Sequence, residues 1–495
     1  MIDKELRSVD RVLRDTRRTP LAARRVEGAQ SPTDLAQTVE TVGWLPVDST
    51  IRVSDVPKIV GTLGGSKLYG DSTDSPIREL IQNGLDAISA RRRLQGRPPT
   101  WGELHVTLDE KDGDFWLCFE DNGVGMSQAV MTGPLLDFGN SLWRSMLAIE
   151  EFPGLTAAGM KSRGKYGIGF FSIFMLGDQV RVISRRYDRD AASAHMLEFR
   201  GGISSRPNLL LADPNSIPID GGTRVEVKLN NNPYEHDGIL GKKHYIRHEK
   251  ISRSLRSVIS SIAPAVVVEI FVTETGNTSK VISANDWLNL NPNEFIDRIA
   301  GMYEGPLETT ARKKKILPWE ELTKICDDKG NIFGRARIFD DDFIRNTGII
   351  TVEGLTASSI EFISGVLFGS ETTAARTSAM PIVPHSALTS WASDQAKRLS
   401  GAKIYDGDRA SAAVTILACN GDIDNLPLVF WKNKWLDKSR FLTLVQRYQS
   451  ITVHDGPVEH ESDDDVTRND FDDYFSPESN IAFTAFNEYH SPSEK

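Results

Sequence analysis

The chain is 495 residues long, with a formal net charge of −10 and a sequence pI of about 5.5. Hydrophobic residues make up 39% of it, which is enough for sizeable cores in roughly two to four domains. Because the net charge is negative, a polyanion is not the partner expected from bulk charge alone. A local basic groove could still contact nucleic acid.

The three cysteines, Cys118, Cys326 and Cys419, lack the spacing of a metal site and fit a reducing compartment. The first residues show no signal-peptide core. The longest apolar run, around residues 169–176, is too short to cross a bilayer. Together these features predict a cytoplasmic protein.

Residues 1–45 are predicted to form a basic helical arm, with its helix over residues 1 to about 30. Such an arm is either solvated or in contact with a partner subunit. Seven arginines give the arm its charge: Arg7, Arg11, Arg14, Arg17, Arg18, Arg24 and Arg25.

The sequence Asp74-Ser75-Pro76 predicts a helix start, because a capping residue is followed by proline in the first turn. The helix is expected to end near Arg93. Within it, Glu79, Asn83 and Asp86 are four and three residues apart and therefore share one face. An amide oxygen suits Mg²⁺, and a carboxylate beside it can accept a proton from water. The alternative for this helix alone is a solvated polar stripe.

A predicted hairpin leads to the second motif. A strand over Leu104–Leu108 turns through residues 111–114 into a second strand that ends just before Asp121. Gly123 and Gly125 allow the backbone to approach a flat ligand. Asp121 can accept a hydrogen bond from an exocyclic amine, such as that of adenine. The same pattern also occurs in ordinary turns.

Two further glycine-rich motifs follow. Residues 164–172, Gly-Lys-Tyr-Gly-Ile-Gly-Phe-Phe-Ser, are predicted to open an apolar helix whose free N–H groups would favour phosphate. Residues 221–223, Gly-Gly-Thr, lead into a strand predicted over residues 224–229. Each motif is weak alone, but the four in this order are specific.

Together the motifs resemble those of the GHKL ATPase superfamily, which includes gyrase B, heat shock protein 90 chaperones, histidine kinases and MutL mismatch-repair ATPases. Residues 79–87, 121–126 and 164–172 look most like heat shock protein 90. The resemblance implies an α/β (α+β) fold, a GHKL-type two-layer sandwich of mixed sheet and helices. A second α/β transducer-like (middle) domain would follow.

The resemblance also implies ATP and Mg²⁺ as cofactors. Asn83 would hold Mg²⁺, Glu79 would deprotonate the attacking water, and Asp121 would read adenine. Asp86 would brace the site, and the Thr223 hydroxyl would share the adenine water network. The other implied cofactor-binding residues are Gly123, Gly125, Met126, Asn140, Lys165, Gly167, Gly169 and Phe170.

Residues 131–163 correspond to the mobile lid of the family, and small residues at both ends suit hinges. The chain departs here from the chaperone pattern, which has Lys-Ser near Asn140-Ser141. Phosphate neutralisation would therefore fall to Lys161, Arg163 or Lys165.

Beyond the motifs, a helix is predicted over 251–262 and a strand over 266–272. Two strands are predicted over 348–354 and 364–367, with a helix between them. Later, residues 414–419 are predicted to be a strand and residues 431–448 a helix. The domains expected are 1–45 (arm), 46–232 (GHKL ATP-binding), 233–400 (middle), 401–454 (small α/β) and 455–495 (acidic tail).

Four features of this second half bear on function. Arg376 follows a strand much as a γ-phosphate-contacting arginine does in heat shock protein 90, but it could equally be a surface arginine. His244 and His248 lack a zinc motif. The basic run 312–315 is a solvated loop or a nucleic-acid patch. The tail is disordered or a docking segment.

These features predict a slow, Mg-dependent ATPase, similar to heat shock protein 90, that acts on a protein client or effector, with a homodimer as one arrangement. Abbreviated bacterial relatives of this kind look like parts of antiphage defence systems. The alternative is a DNA-associated clamp of the MutL, gyrase or MORC type. A module that binds ATP without turnover is a third interpretation, which the intact Glu79 argues against.

Overall fold

A computed structural model describes the chain in segments. Its described residues are 2–28, 34, 40, 73–155, 167–217, 219–243, 250–301, 320–338, 348–360, 362–372, 378–404, 406–423, 425–431, 434–448, 452–455 and 481–484. The chain divides into two compact units, residues 1–56 and 57–495.

The first unit contains helix α1 (Ile2–Asp15). The predicted helix over residues 1–30 is therefore half as long as expected, and the chain folds back so that the Val26 N–H donates to Asp3 at 2.7 Å. Arg7 pairs with Asp3, and Arg14 pairs with Asp10, both at 2.7 Å. The acidic residues of the helix thus offset part of its basic charge.

The second unit begins with a layer of helices on a sheet. Its elements, in chain order, are α2 (Asp74–Gln95), β1 (Glu103–Lys111), β2 (Asp114–Asp121), α3 (Gln128–Thr132), α4 (Met146–Glu151), β3 (Gln179–Arg185), β4 (His195–Phe199), β5 (Asn208–Leu211), β6 (Gly222–Lys228), β7 (Gly241–Lys243), β8 (Lys250–Ser252), α5 (Leu255–Ile262), β9 (Glu269–Glu274) and β10 (Asn277–Ile282). Short 3₁₀ helices cover Leu142–Arg144, Gly169–Met175, Ala191–Ser193, Gly202–Ser204 and Pro214–Ser216.

Eight of these strands form one mixed sheet in the order β10-β9-β1-β2-β6-β3-β4-β5. β1 is antiparallel to β2 and parallel to β9. Leu104, Val106 and Leu108 of β1 are buried in the same core as Ile77 and Ile81 of helix α2. Burial that alternates along β1 is typical of a sheet covered on one face. The predicted sandwich of mixed sheet and helices is thereby confirmed.

Two local predictions in this region differ from the structure. The apolar helix expected after Gly169 is a seven-residue 3₁₀ helix, Gly169–Met175. The predicted domain boundary at residue 232 falls inside the stretch that builds the sheet, because β9 and β10 come after it. Sequence periodicity identified a strand near β9, but its pairing with β1 is non-local and leaves no periodic signal.

The chain continues into a second α/β region. Its elements are α6 (Pro292–Ala300), β11 (Thr323–Cys326), β12 (Ile332–Arg337), β13 (Gly348–Val352), β14 (Leu355–Ser359), β15 (Ser364–Glu371), β16 (Ala379–Pro381), α7 (His385–Ser400) and α8 (Asp406–Ala418), with a 3₁₀ helix at Asp286–Leu288. The strands form a sheet in the order β11-β12-β15-β13-β14, and β16 pairs with β15. The predicted second α/β domain is thereby confirmed.

Two predictions in this second region were wrong. The segment between β13 and β15 is the strand β14 rather than a helix. Glu353 and Gly354 turn it back with φ angles of 55° and 90°. Residues 414–418, predicted to be a strand, belong to helix α8. Short apolar runs are compatible with either a strand or a buried helix, so periodicity alone could not decide.

The C-terminal elements are β17 (Pro427–Trp431), β18 (Lys434–Asp437), α9 (Lys438–Val445), β19 (Thr452–Asp455) and β20 (Ile481–Thr484). They form a sheet in the order β18-β17-β20-β19. The predicted helix over residues 431–448 is therefore correct only for α9. β20 lies in the tail predicted to be disordered, and the rest of that tail beyond β19 is outside the described residues.

Candidate functional site

The four predicted motifs line one cavity in the second unit. Its walls come from α2, the loop after β2, the start of the Gly169–Met175 helix and the start of β6. Ten predicted site residues line it: Glu79, Asn83, Asp121, Gly125, Met126, Asn140, Gly167, Gly169, Phe170 and Thr223.

Four predicted residues are not among those lining the cavity. Asp86 is buried in α2, at 2% exposure, and Gly123 lies in the loop beside Asp121. Lys165 and Arg376 are outside the described residues, as are Lys161, Arg163 and residues 244–249 and 312–315. Their predicted roles stay predictions.

Helix α2 presents Glu79 and Asn83 to the cavity, as their spacing predicts. Glu79 is 5% exposed, whereas Asn83, one turn later, is exposed. The helix ends at Gln95, where Gly96 adopts a left-handed conformation with φ of 62°. Glu79 and Asn83 therefore differ in environment: the carboxylate is buried and the amide is open.

Gly169 makes room for the Glu79 carboxylate. A Cβ atom at position 169 would overlap Glu79 Oε2. Only glycine therefore allows this backbone and this carboxylate to lie so close together. The glycine-rich motif predicts that Gly169 approaches the phosphates, and nothing in it indicates this second contact.

Asp121, which also lines the cavity, is the last residue of strand β2. Its carboxylate Oδ1 accepts the Gly123 N–H at 2.8 Å. Burial of Asp121 raises the pKa of its carboxyl to about 7, and hydrogen bonds from the backbone of Gly123 and Thr223 partly oppose that rise. Asp121 is thus a hydrogen-bond acceptor whose carboxylate is held in place by the backbone of Gly123 and Thr223, with a pKa of about 7.

The loop after Asp121 needs its glycines for close backbone packing. A Cβ atom at Gly123 would overlap Ala87 of α2, and one at Gly125 would overlap the Arg185 carbonyl. Gly125 has φ of 67°, which favours glycine. The Tyr187 N–H also donates to the Val124 carbonyl at 3.1 Å. Gly123 and Gly125 therefore allow close packing within the protein, in addition to any contact with a ligand.

Arg91 supports the same loop and was missed by the sequence analysis. It is 3% exposed, and its Nη1 donates to the Asn122 carbonyl at 2.7 Å. Its guanidinium lies 5.0 Å from the Trp101 ring and 5.2 Å from the Tyr187 ring. In the sequence, Arg91 is one of three consecutive arginines near the end of α2, so nothing distinguished it.

Ser184 connects the loop to β6 and was also missed. It is fully buried in β3, and its hydroxyl lies 2.9 Å from Thr223 Oγ1. The Met126 N–H donates to Ser184 Oγ at 2.8 Å, and Ser184 Oγ lies 3.0 Å from the Gly222 carbonyl. In the sequence, Ser184 is one polar residue in an alternating strand, so nothing distinguished it.

The described part of the predicted lid rests on the same cavity. Asn140 lines it, and the Gly139 N–H donates to the Gly167 carbonyl at 3.1 Å. At the far end of this part, Glu151 accepts the Ser127 hydroxyl at 2.7 Å and pairs with Arg186. Hydrogen bonds thus hold this segment at Gly139 and at Glu151.

Asn83 is an oxygen donor at the cavity wall that suits Mg²⁺. Within the described part of the chain, no group of three or more His, Cys, Asp or Glu side chains could hold a metal by itself. Asn83 contributes an exposed amide beside the cavity, and Mg²⁺ is commonly held by few protein oxygens together with phosphates. The residues present therefore fit a nucleotide-bound Mg²⁺.

Among the described helices, none combines the length and the apolar character that a membrane crossing needs.

Comparison with known proteins agrees with this geometry. Residues 72–220 match the family model described as "Histidine kinase-, DNA gyrase B-, and HSP90-like ATPase". This match includes three of the four motifs and ends just before Gly221. It confirms the resemblance to the GHKL superfamily and to its heat shock protein 90-type members.

Curated relatives are similar to part of the chain. "Chaperone protein HtpG" of Aliarcobacter butzleri is 25% identical over 218 residues, which cover 42% of this chain and 30% of the relative. The HtpG of Mycobacterium ulcerans is 26% identical over 324 residues, covering 59% and 48%. The "Endoplasmin homolog" of Leishmania donovani is 30% identical over 166 residues, covering 31% and 20%. The chain thus spans less than half of the length of these relatives.

Proposed function

We propose that this chain, whose residues 72–220 match the HSP90-like ATPase family, binds ATP in the cavity and hydrolyses it. The observation that carries the proposal is the convergence of four separate motifs on one cavity. The residues that line it include an acceptor for an amine, Asp121, and a carboxylate with an amide one helical turn away, Glu79 and Asn83.

The adenine occupies the end formed by Asp121, Met126 and Thr223. The ionised Asp121 carboxylate accepts a hydrogen bond from the exocyclic amine, and apolar side chains such as Met126 contact the ring. The phosphates extend toward Gly167 and Gly169, where backbone N–H groups near the helix start favour anions. This orientation brings the γ-phosphate toward Glu79.

Asn83 would hold Mg²⁺ through its amide oxygen, and the bound ion would supply positive charge beside the phosphates. Glu79 orients the attacking water and accepts its proton. Its buried position beside Gly169 keeps the carboxylate at a defined place rather than free in solvent.

The cycle acts on a protein partner, as the chaperone names of the relatives suggest for this chain. The DNA-clamp alternative depends on the basic arm and residues 312–315. Within the arm, Arg7 and Arg14 already pair with Asp3 and Asp10. This pairing reduces the positive charge available to phosphates and favours the protein partner. The client, a homodimer, the cytoplasmic location, antiphage defence and the contact of Arg376 with the γ-phosphate stay predictions.

The proposal is tested with the full chain and a Glu79→Ala variant. Titration calorimetry should detect ATP with Mg²⁺ binding to both proteins. Phosphate release should fall in the variant by about 10²–10⁴-fold, as expected on loss of a general base. Glu103→Gln, which removes a half-exposed carboxylate, is the matched control and should hydrolyse normally.

The outcomes separate the alternatives. Turnover that persists in Glu79→Ala would refute the role of Glu79, and absent ATP binding would refute the whole proposal. Salt-dependent DNA binding that stimulates hydrolysis would replace the protein client with the clamp.

A further inference from the structure

The hydroxyl group of Ser184 makes all the hydrogen bonds that a serine hydroxyl can make, and all of them are within the protein. Its oxygen has three polar neighbours: the Met126 N–H at 2.8 Å, the Gly222 carbonyl at 3.0 Å and Thr223 Oγ1 at 2.9 Å. The side chain is fully buried, so water does not compete for these contacts. Ser184 is not among the residues that line the cavity.

A serine hydroxyl has one hydrogen and two lone pairs. The Gly222 carbonyl can only accept, so it takes the hydrogen of Ser184. The Met126 N–H can only donate, so it occupies one lone pair. One lone pair remains, and Thr223 must therefore donate its own hydrogen to Ser184. No other assignment makes all three contacts hydrogen bonds.

This assignment fixes what Thr223 offers to the cavity. Its hydroxyl hydrogen points away toward Ser184, so only oxygen lone pairs remain for a ligand or an ordered water. The neighbouring Asp121 carboxylate is also an acceptor when ionised. This end of the cavity therefore presents acceptors on both β2 and β6, at positions that pair across the two strands.

We propose that Ser184 is a specificity-determining positioning residue: by binding the Thr223 hydrogen, it makes the Thr223 hydroxyl, like the ionised Asp121 carboxylate beside it, accept hydrogen bonds from a base and not donate them. The inference rests on the proposed ATP site and deepens it. A 6-amino purine donates at this position, whereas a 6-keto purine presents an acceptor and would face acceptors. Ser184 thus selects adenine over hypoxanthine without touching either base.

The test compares ATP with inosine triphosphate, which differs at the 6-position and in the N1 proton. Dissociation constants are measured by calorimetry at pH 8, above the Asp121 pKa of about 7. The wild-type chain should prefer ATP. Ser184→Ala releases the Thr223 hydroxyl to rotate and donate to a keto oxygen. The preference should fall roughly three- to tenfold, the effect of about one hydrogen bond.

Two further variants separate positioning from simple damage to the fold. In a Thr223→Val background, Ser184→Ala should change the preference no further, because Ser184 acts through the Thr223 hydroxyl. Ser184→Thr keeps a hydroxyl and should retain the preference. Ser260→Ala, which removes another buried serine hydroxyl far along the chain in α5, should leave it unchanged.

If Ser184→Ala does not fold, Ser184→Cys replaces it, since a thiol is a weaker donor and acceptor and should shift the preference in the same direction. An unchanged ratio in Ser184→Ala, or equal additive losses in both backgrounds, would overturn the inference while leaving ATP binding intact. A wild-type chain that binds ATP and the inosine nucleotide equally would also overturn it. If the wild type binds neither nucleotide, the proposed function itself fails.

Discussion

The two ends of the cavity are built differently. At the base end, Asp121, Ser184 and Thr223 are buried, and each is held by named hydrogen bonds to the surrounding backbone or side chains. At the phosphate end, Asn83 and Asn140 are exposed, and Glu79 is the buried acid beside them.

This difference indicates that recognition and chemistry are separated. The base end is preorganised, so it can discriminate among bases without rearranging. The phosphate end has open side chains and lies beneath a predicted lid, so its full contacts would form only with a nucleotide and a closed lid. Mutations at the base end should therefore change mainly the affinity for ATP, and mutations at the phosphate end should change mainly the turnover.

After the loss of Glu79 itself, the largest effect is expected at the phosphate end from Gly169→Ala. The new methyl group would displace the Glu79 carboxylate, and a misplacement of about 1 Å can cost roughly 10²-fold in rate. ATP affinity should change much less than turnover. Phosphate release and calorimetry measure both quantities. Gly401→Ala, where a Cβ meets open space, is the control. Equal losses of affinity and rate would contradict the separation of the two ends.

The second effect concerns pH at the base end. Because the pKa of Asp121 is raised to about 7, its acceptor form is incomplete at pH 6 and largely present at pH 8. ATP affinity should therefore rise over this range by up to about tenfold per pH unit below the pKa. In Asp121→Asn the rise should disappear. A wild-type affinity that stays flat from pH 6 to 8 would count against the role of Asp121.

Stability should respond in the opposite direction. The folded-state pKa of Asp121 exceeds its unfolded value, so the folded chain binds more protons between about pH 4 and 7 and loses stability as pH rises there. Asp121→Asn removes this loss. The variant should gain free energy of unfolding relative to wild type at pH 8 compared with pH 5, as measured by denaturant titration. If the variant instead loses free energy of unfolding relative to wild type at pH 8 compared with pH 5, the folded chain stabilises the ionised carboxylate of Asp121.

Arg91→Ala should destabilise the loop after β2, which forms part of the base end. The change removes a charged hydrogen bond to the Asn122 carbonyl and contacts with two aromatic rings, together about 2–4 kcal/mol. Thermal unfolding should shift down, and ATP affinity should fall with little change in turnover at saturation. Arg206→Ala, an exposed arginine, is the control. Unchanged affinity would mean that the loop is held without Arg91.

The smallest effect is expected from Glu151→Gln in the predicted lid. It weakens the pair with Arg186 and leaves an oxygen for Ser127, a loss of roughly 1 kcal/mol. Hydrogen exchange in residues 146–155 should become faster by several-fold, while ATP affinity at the base end stays constant. Slower or unchanged exchange would show that this contact does not hold the segment.

Sequence predicted the elements that depend on local pattern. The hairpin of β1 and β2, with its turn at residues 111–114, and the helix that carries Glu79 and Asn83 follow from alternation, caps and spacing. The convergence of four motifs was predicted from their order. The positions of Asp121 and Thr223 opposite each other in β2 and β6 agree with that convergence.

Sequence could not predict contacts that depend on tertiary packing. Ser184 and Arg91 look like an ordinary strand serine and an ordinary helix-end arginine until β3, β6 and the loop after β2 are brought together. The predictions of a helix at β14 and of a strand at residues 414–418 of α8 were wrong for a related reason. Both concern short segments whose type is decided by their partners in the sheet or the core.

The most direct test of the account is a crystal structure of the chain with Mg²⁺ and a non-hydrolysable ATP analogue. The account predicts the adenine amino group within hydrogen-bond distance of Asp121, the ion on Asn83, and the γ-phosphate facing Glu79 beside Gly169. An analogue bound elsewhere, or one lying in this cavity with its phosphates toward Asp121, would contradict it.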